Sequence, residues 1–168
     1  GIRIGKVLDL TFGSDEFFKL QILNTILGGY FGSRLMSNVR EDKGYTYGIG
    51  SAIAAMEDAI FFFISTEVGA DVTSAALIEV YFELNRLRDE LVSEEELVMV
   101  KNYILGSMLK SSDGPFSMAD KYKSVYLKGE DLSFYDRYIS IINNVTSEEL
   151  HDVAKKYLTD DFKTVAIL

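Results

Sequence analysis

Thr46-Tyr47-Gly48-Ile49-Gly50-Ser51-Ala52-Ile53-Ala54-Ala55-Met56-Glu57-Asp58-Ala59-Ile60-Phe61-Phe62-Phe63-Ile64-Ser65-Thr66-Glu67-Val68 is the stretch on which the fold turns. Two apolar segments, Thr46–Met56 and Ala59–Val68, flank the two-residue polar break Glu57-Asp58. A link that short joins only antiparallel neighbours, because parallel strands need a crossover of a dozen residues or more. The second segment is rich in aromatic and β-branched residues, which fit a pleated surface. The first is made largely of small residues. The run Phe61-Phe62-Phe63 should form a strand with both faces buried or half-buried, and an exposed face there would imply a partner surface.

Outward from this hairpin the pattern turns helical. Upstream, Ile2–Leu10 reads as a strand, and Ser14-Asp15 can cap a helix running to about Leu27, with Phe17, Leu20, Leu23 and Leu27 at helical spacing. Gly28-Gly29 should end it in the left-handed conformation that helix stops favour. A short helix over about Ser33–Glu41 follows. Downstream, Leu77, Val80, Tyr81, Leu84, Leu87 and Leu91 make one apolar stripe on a helix from Asp71 to about Leu91. Ser93-Glu94-Glu95-Glu96 and Thr146-Ser147-Glu148-Glu149 both match the capping-box pattern and should each open a helix. Gly114-Pro115 breaks the pattern between them. Helices are expected over about Phe116–Leu127 and Ser133–Asn143, and a closing strand over Phe162–Leu168. This order lacks the strand–helix alternation of a doubly wound parallel fold. It predicts α+β architecture, an antiparallel sheet with helices packed on one face, over residues 1–168 as one unit.

Composition narrows the function. With 26 acidic against 17 basic residues, a net charge of −9 and no basic cluster, the chain suits neither nucleic acid nor an anionic membrane surface. No apolar run reaches the ~20 residues that span a bilayer. Cysteine is absent, which removes disulfides, thiolate metal sites and Cys–His chemistry; the compartment stays open, with the cytoplasm favoured over secretion. The one histidine, His151, reads as an ordinary helix residue rather than a zinc ligand, since zinc sites collect several His, Cys or carboxylate groups. Ser33, Ser37 and Ser51 have no other histidine to pair with. Gly28, Gly29 and Gly32 form no phosphate loop, because no Gly-Lys-Ser/Thr follows. Glu94-Glu95-Glu96 is explained by the favourable field at a helix N-terminus.

Arg40 and Tyr47 remain. On spacing alone, Arg40 is a cation at a helix C-terminus and Tyr47 a half-packed strand residue. The surrounding sequence adds more. Asn24, the pair Gly28-Gly29, Ser33-Arg34-Leu35, Arg40-Glu41 and Gly44-x-x-Tyr47 stand in the order and spacing of one family. Leu23–Gly50, and less densely the whole chain, resembles the C-terminal half of insulinase/pitrilysin peptidases, in their mitochondrial processing-peptidase-like branch. The resemblance implies a LuxS/metallohydrolase-like domain, one of several related α+β domains around a chamber. It implies that the N-terminal half holds zinc on a His-x-x-Glu-His motif and a distal Glu, with water activated there. It implies that Arg40 and Tyr47 are contributed across the cleft, Tyr47 to the oxyanion and Arg40 to hold a substrate carbonyl or fix the local geometry. No His-x-x-Glu-His occurs in this sequence, and by the resemblance the usual first strand of the later half should be missing or cut short at Gly1. The chain alone should therefore be inactive and bind no cofactor; zinc is expected in the missing half or a partner subunit, with peptide as substrate and a homo- or heterodimeric parent possible. Two other readings stand beside this one. A non-catalytic assembly subunit of the same family would keep Arg40 and Tyr47 as relics, and a stand-alone α+β domain would use them only for packing.

Overall fold

The computed structural model describes residues 1–167. Four strands form one antiparallel sheet in the order β2-β3-β1-β4: β1 Ile2–Leu8, β2 Thr46–Ala55, β3 Ile60–Val68 and β4 Lys163–Ala166. The hairpin forms as its polar break predicts, closed by Met56 N–H donating to Ala59 O at 2.8 Å. Alternation sorts the faces. Ile2, Ile4 and Leu8 of β1 and Ile60, Phe62 and Ile64 of β3 are buried under the helices, while Val7, Phe63 and Val165 are exposed on the other face. The aromatic run is thus split between the faces, Phe62 in the core and Phe63 outside. At the far side of the sheet Ile167 N–H donates to Gly1 O at 2.9 Å, so the two ends of the described chain run side by side.

Six α-helices pack on the buried face: α1 Asp15–Asn24, α2 Thr73–Asp89, α3 Glu94–Lys110, α4 Pro115–Tyr126, α5 Ser133–Asn144 and α6 Ser147–Tyr157. The α+β expectation holds, and most boundaries shift by one or two residues. Helix α1 lies in the middle of this layer, against α5 and α6. The Phe18 and Phe134 rings meet edge to face at 4.8 Å there.

Two segments depart from the expected helices. Helix α1 does not run on as α-helix to Leu27; it passes into a π-helical turn, Thr25–Gly29. Gly28 and Gly29 do not adopt a left-handed conformation either, since among the described residues positive φ occurs only at Gly13, Gly44, Gly114 and Gly129. Gly28 serves close approach instead. A Cβ placed on it would stand 2.6 Å from both the backbone nitrogen and Oγ of Ser51 on β2, so the missing side chain is what lets helix and strand touch. The expected helix over Ser33–Glu41 is a π-helix, Met36–Asp42. At the other end of the chain the closing strand is shorter than expected, and Leu168 lies outside the described residues.

Candidate functional site

The second π-helix carries Arg40. Its wide turn is held by Lys43 N–H donating to Asn38 O at 3.0 Å, five residues back. The chain then leaves through Gly44 at φ 66°, while Tyr45 N–H donates to Val39 O at 3.0 Å. Buried Met36 and Val39 anchor one side of the turn in the core. Arg40 points away from that anchor. Its guanidinium carbon lies 4.6 Å from the ring centre of Phe31 and 5.9 Å from that of Tyr47. The nearest carboxylate, Glu41, is 3.7 Å away, beyond hydrogen-bonding reach. Two aromatic rings and a loose ion pair with Glu41 therefore flank this cation, the ring contact being worth ~0.5–1 kcal/mol at an exposed site.

Tyr47 is placed by an irregularity in the sheet. Thr46 faces Val68 and Ile49 faces Thr66, so β2 carries one residue more than β3 over this interval. That is a β-bulge, a device that re-aims side chains and is frequent beside functional sites. Hydroxyls lock it. Thr66 Oγ1 donates to Gly48 O at 2.9 Å, Gly48 N–H donates to Thr46 Oγ1 at 3.1 Å, and Thr46 Oγ1 reaches Glu67 O at 2.7 Å. Ile49 is thereby returned to the core, and Tyr47 is left 94% exposed. A strand tyrosine half packed in the core, the plain reading of its sequence position, is not what forms.

The structure thus brings Arg40 and Tyr47 together, seven residues apart in sequence, and adds a third residue, Phe31, that sequence reasoning missed. Its signal was available: a phenylalanine between Gly29 and Gly32, outside any periodic apolar stripe, and exposed in the fold. The patch offers two kinds of hydrogen-bond donor, guanidinium and phenol, and no base or nucleophile. Ser33 and Ser51 are buried, and Ser51 Oγ donates to Asn24 O. His151 Nε2 lies 2.8 Å from the Arg88 carbonyl at the end of α2. Among the described residues no three His, Cys, Asp or Glu side chains converge to hold a metal. The donor set of this chain does not fit zinc, and no chemical step can be routed through one held here. What the patch can do is stabilise negative charge or orient carbonyl oxygens.

On the opposite side of the same π-helix lies a polar cleft of about 570 Å³, between that helix and α2. Arg34 and Glu96 close one end. Arg34 Nε and Nη2 donate to the two carboxylate oxygens of Glu96 at 2.9 and 2.7 Å, a two-pronged pair across 62 residues. Burial is the largest single influence and works to lower the Arg34 pKa, but its bonds to Glu96 together with the charges of Glu96, Glu83 and Glu90 outweigh it and hold the pKa above the ordinary value. Glu96 is the third residue of α3, where the sequence pattern has it returning to Ser93. Only half of that capping box forms: Ser93 Oγ accepts from Glu96 N–H, while the Glu96 carboxylate goes to Arg34. In the cleft wall Asn38 Nδ2 donates to Glu83 Oε1 at 2.8 Å, and Glu83 is only 3% exposed.

Residues 9–104 match the family model described as peptidase M16 inactive domain. The chain is 29% identical over 159 residues to the uncharacterized zinc protease YmxG of Bacillus subtilis, covering 94% of this chain and 39% of that protein. It is 24% identical over 165 residues to the non-peptidase homolog YmxG of Helicobacter pylori, covering 97% and 37%. The chain therefore spans about two-fifths of the length of these relatives. In fold it superimposes on the peptidase M16 inactive domain from Pseudomonas fluorescens with a TM-score of 0.87 at 23% identity, covering 97% of this chain and 39% of that one. With more than half of its residues inside the matched region, the chain belongs to the peptidase M16 inactive domain family.

Proposed function

We propose that this chain is the C-terminal accessory part of a zinc endopeptidase that hydrolyses peptides, and that Arg40 and Tyr47 are its substrate-facing residues. The observation that carries the reading is the mounting of these side chains. A guanidinium beside the rings of Phe31 and Tyr47, its ion-pair partner Glu41 lying 3.7 Å away and beyond hydrogen-bonding distance, spends none of its donors on a side-chain hydrogen bond among the described residues. A tyrosine thrust 94% into solvent by a hydroxyl-locked bulge makes no packing contribution that would explain it. Both are donors of the kind that meet a tetrahedral oxyanion or hold a peptide carbonyl. Zinc and the general base would belong to the rest of the parent protein or to a partner subunit, since this chain has no donor set for them. The chain by itself is then inactive.

The test is Tyr47→Phe in the complete, zinc-loaded parent. Loss of an oxyanion donor should lower kcat about tenfold or more with the fold intact. A variant with wild-type kcat would leave the second reading, that of a non-catalytic partner subunit. The resemblance to a relative described as a non-peptidase homolog supports that second reading.

A further inference from the structure

Phe31 is exposed, and a single exposed phenylalanine needs no explanation by itself. Its mounting does. Tyr30 is extended, at φ −154° and ψ 174°, and Ser33 N–H donates to Tyr30 O at 3.2 Å, so residues 30–33 form a tight turn with Phe31 at its corner. Both feet of that turn are tied down. Ser33 is buried, and the Tyr30 ring lies against the Tyr103 ring of α3, centroids 4.5 Å apart. Gly32 makes room for this packing, since a Cβ on it would stand 2.8 Å from Cε2 of Tyr30. The turn therefore holds Phe31 out of the core, and its ring meets the guanidinium carbon of Arg40 at 4.6 Å.

Arg40 has need of such a support. No side-chain hydrogen bond among the described residues fixes its guanidinium, yet the side chain is only 28% exposed. Glu41, the next residue, draws it one way, with 3.7 Å between Nη1 and Oε1. Tyr47 gives the weaker hold on the other side, its ring centre 5.9 Å away. We propose that Phe31 is a positioning residue for Arg40: the face of its ring keeps the guanidinium next to Tyr47 and out of a direct ion pair with Glu41. The inference rests on the reading of Arg40 as substrate-facing. An arginine without this ring would close on the adjacent carboxylate in charge-assisted hydrogen bonds, and so spend on Glu41 the donors that a substrate carbonyl requires. A phenyl face attracts the cation through the ring quadrupole and takes no N–H in doing so. It orients the fork and leaves its donors available. A leucine of similar bulk would fill the space without the attraction.

The experiment pairs a structural readout with a kinetic one. Phe31 is 62% exposed, so its substitution leaves the core untouched. In the 168-residue chain, the Nε–H resonance of Arg40 should carry a ring-current shift that Phe31→Leu abolishes and Phe31→Tyr keeps. A resonance unmoved by Phe31→Leu overturns the proposal. In the complete, zinc-loaded parent, Phe31→Leu should lower kcat/KM about fivefold through misplacement of the donor, and Phe31→Tyr should restore it. Adding Glu41→Gln to Phe31→Leu should recover most of the loss, because the competing carboxylate is gone. On an Arg40→Ala background Phe31→Leu should have no further effect. The same loss on that background means that the ring touches the substrate itself, and overturns the positioning role. So does a wild-type kcat/KM for Phe31→Leu where Arg40→Ala is impaired. Should Arg40→Ala itself retain the wild-type value, the substrate-facing reading of Arg40 fails, and the resonance alone decides whether Phe31 holds it.

Discussion

Helices α3 and α6 begin with the same four-residue signal, Ser/Thr-x-x-Glu, and the fold uses it in two ways. At Thr146 the box closes: Glu149 N–H donates to Thr146 Oγ1, and Thr146 N–H donates to Glu149 Oε2. The other oxygen of Glu149 still takes Lys19, at 2.7 Å. At Ser93 the hydroxyl caps, but Glu96 is claimed by Arg34, 62 residues away in sequence. A carboxylate at that position is drawn either to its own backbone or to a distant guanidinium, and a buried two-pronged arginine wins. The α5–α6 corner is thus held by its own sequence neighbourhood, while the segment from Asn24 to Gly50 is held by residues far away.

This difference can be broken from either side. Glu96→Ala strands the Arg34 guanidinium, whose side chain is 8% exposed, and should cost about 3 kcal/mol by chemical denaturation, since removing one member of a buried pair leaves an unmatched charge. A loss under 1 kcal/mol would mean that solvent reaches Arg34 and that the long-range pair is incidental. Gly28→Ala attacks the same segment through shape. Its new methyl would lie 2.6 Å from Ser51 N, so helix and strand must part, at roughly 1–3 kcal/mol. Thr146→Ala removes only a local cap and should cost about 1 kcal/mol. If Thr146→Ala proves more damaging than Glu96→Ala, the contrast between the two regions is reversed.

A smaller effect involves a pair that ties the C-terminal segment to β1. Lys6 Nζ meets Asp161 at 2.5 Å. That contact, with the Thr159 hydroxyl, pulls the Asp161 pKa from 3.8 down to about 2. A carboxylate with a lowered folded value stabilises the fold above its unfolded pKa and loses that contribution as pH falls. Asp161→Asn should therefore be less stable than wild type at pH 5, with the gap closing between about pH 4 and pH 2. A constant gap across that range would show that the ion pair contributes nothing.

Much of the fold was legible because its signals are local. The Glu57-Asp58 hairpin, the α2 stripe and the Thr146 box each depend on residues within a few positions of one another. Arg40 and Tyr47 were legible as a pair only through resemblance. Their juxtaposition rests on a π-turn and a bulge, and both depend on contacts such as Thr46–Thr66 and Val39 in the core that no periodicity announces. The half box at Ser93 and the Asn38–Glu83 contact were invisible for the same reason: each is decided by a partner at least 45 residues away. Gly28 shows the limit of a residue-type rule. Glycine was needed there, but for proximity rather than for left-handed backbone.

The meeting of the chain's two ends has a topological consequence. Because Gly1 and Ile167, which flank the antiparallel strands β1 and β4, are hydrogen-bonded neighbours, a linker of a few residues should join them without strain. The sheet is then a loop with no privileged starting point. New ends opened at the exposed Glu57-Asp58 turn would leave every strand pairing intact, and the domain should fold from that order as readily as from its own.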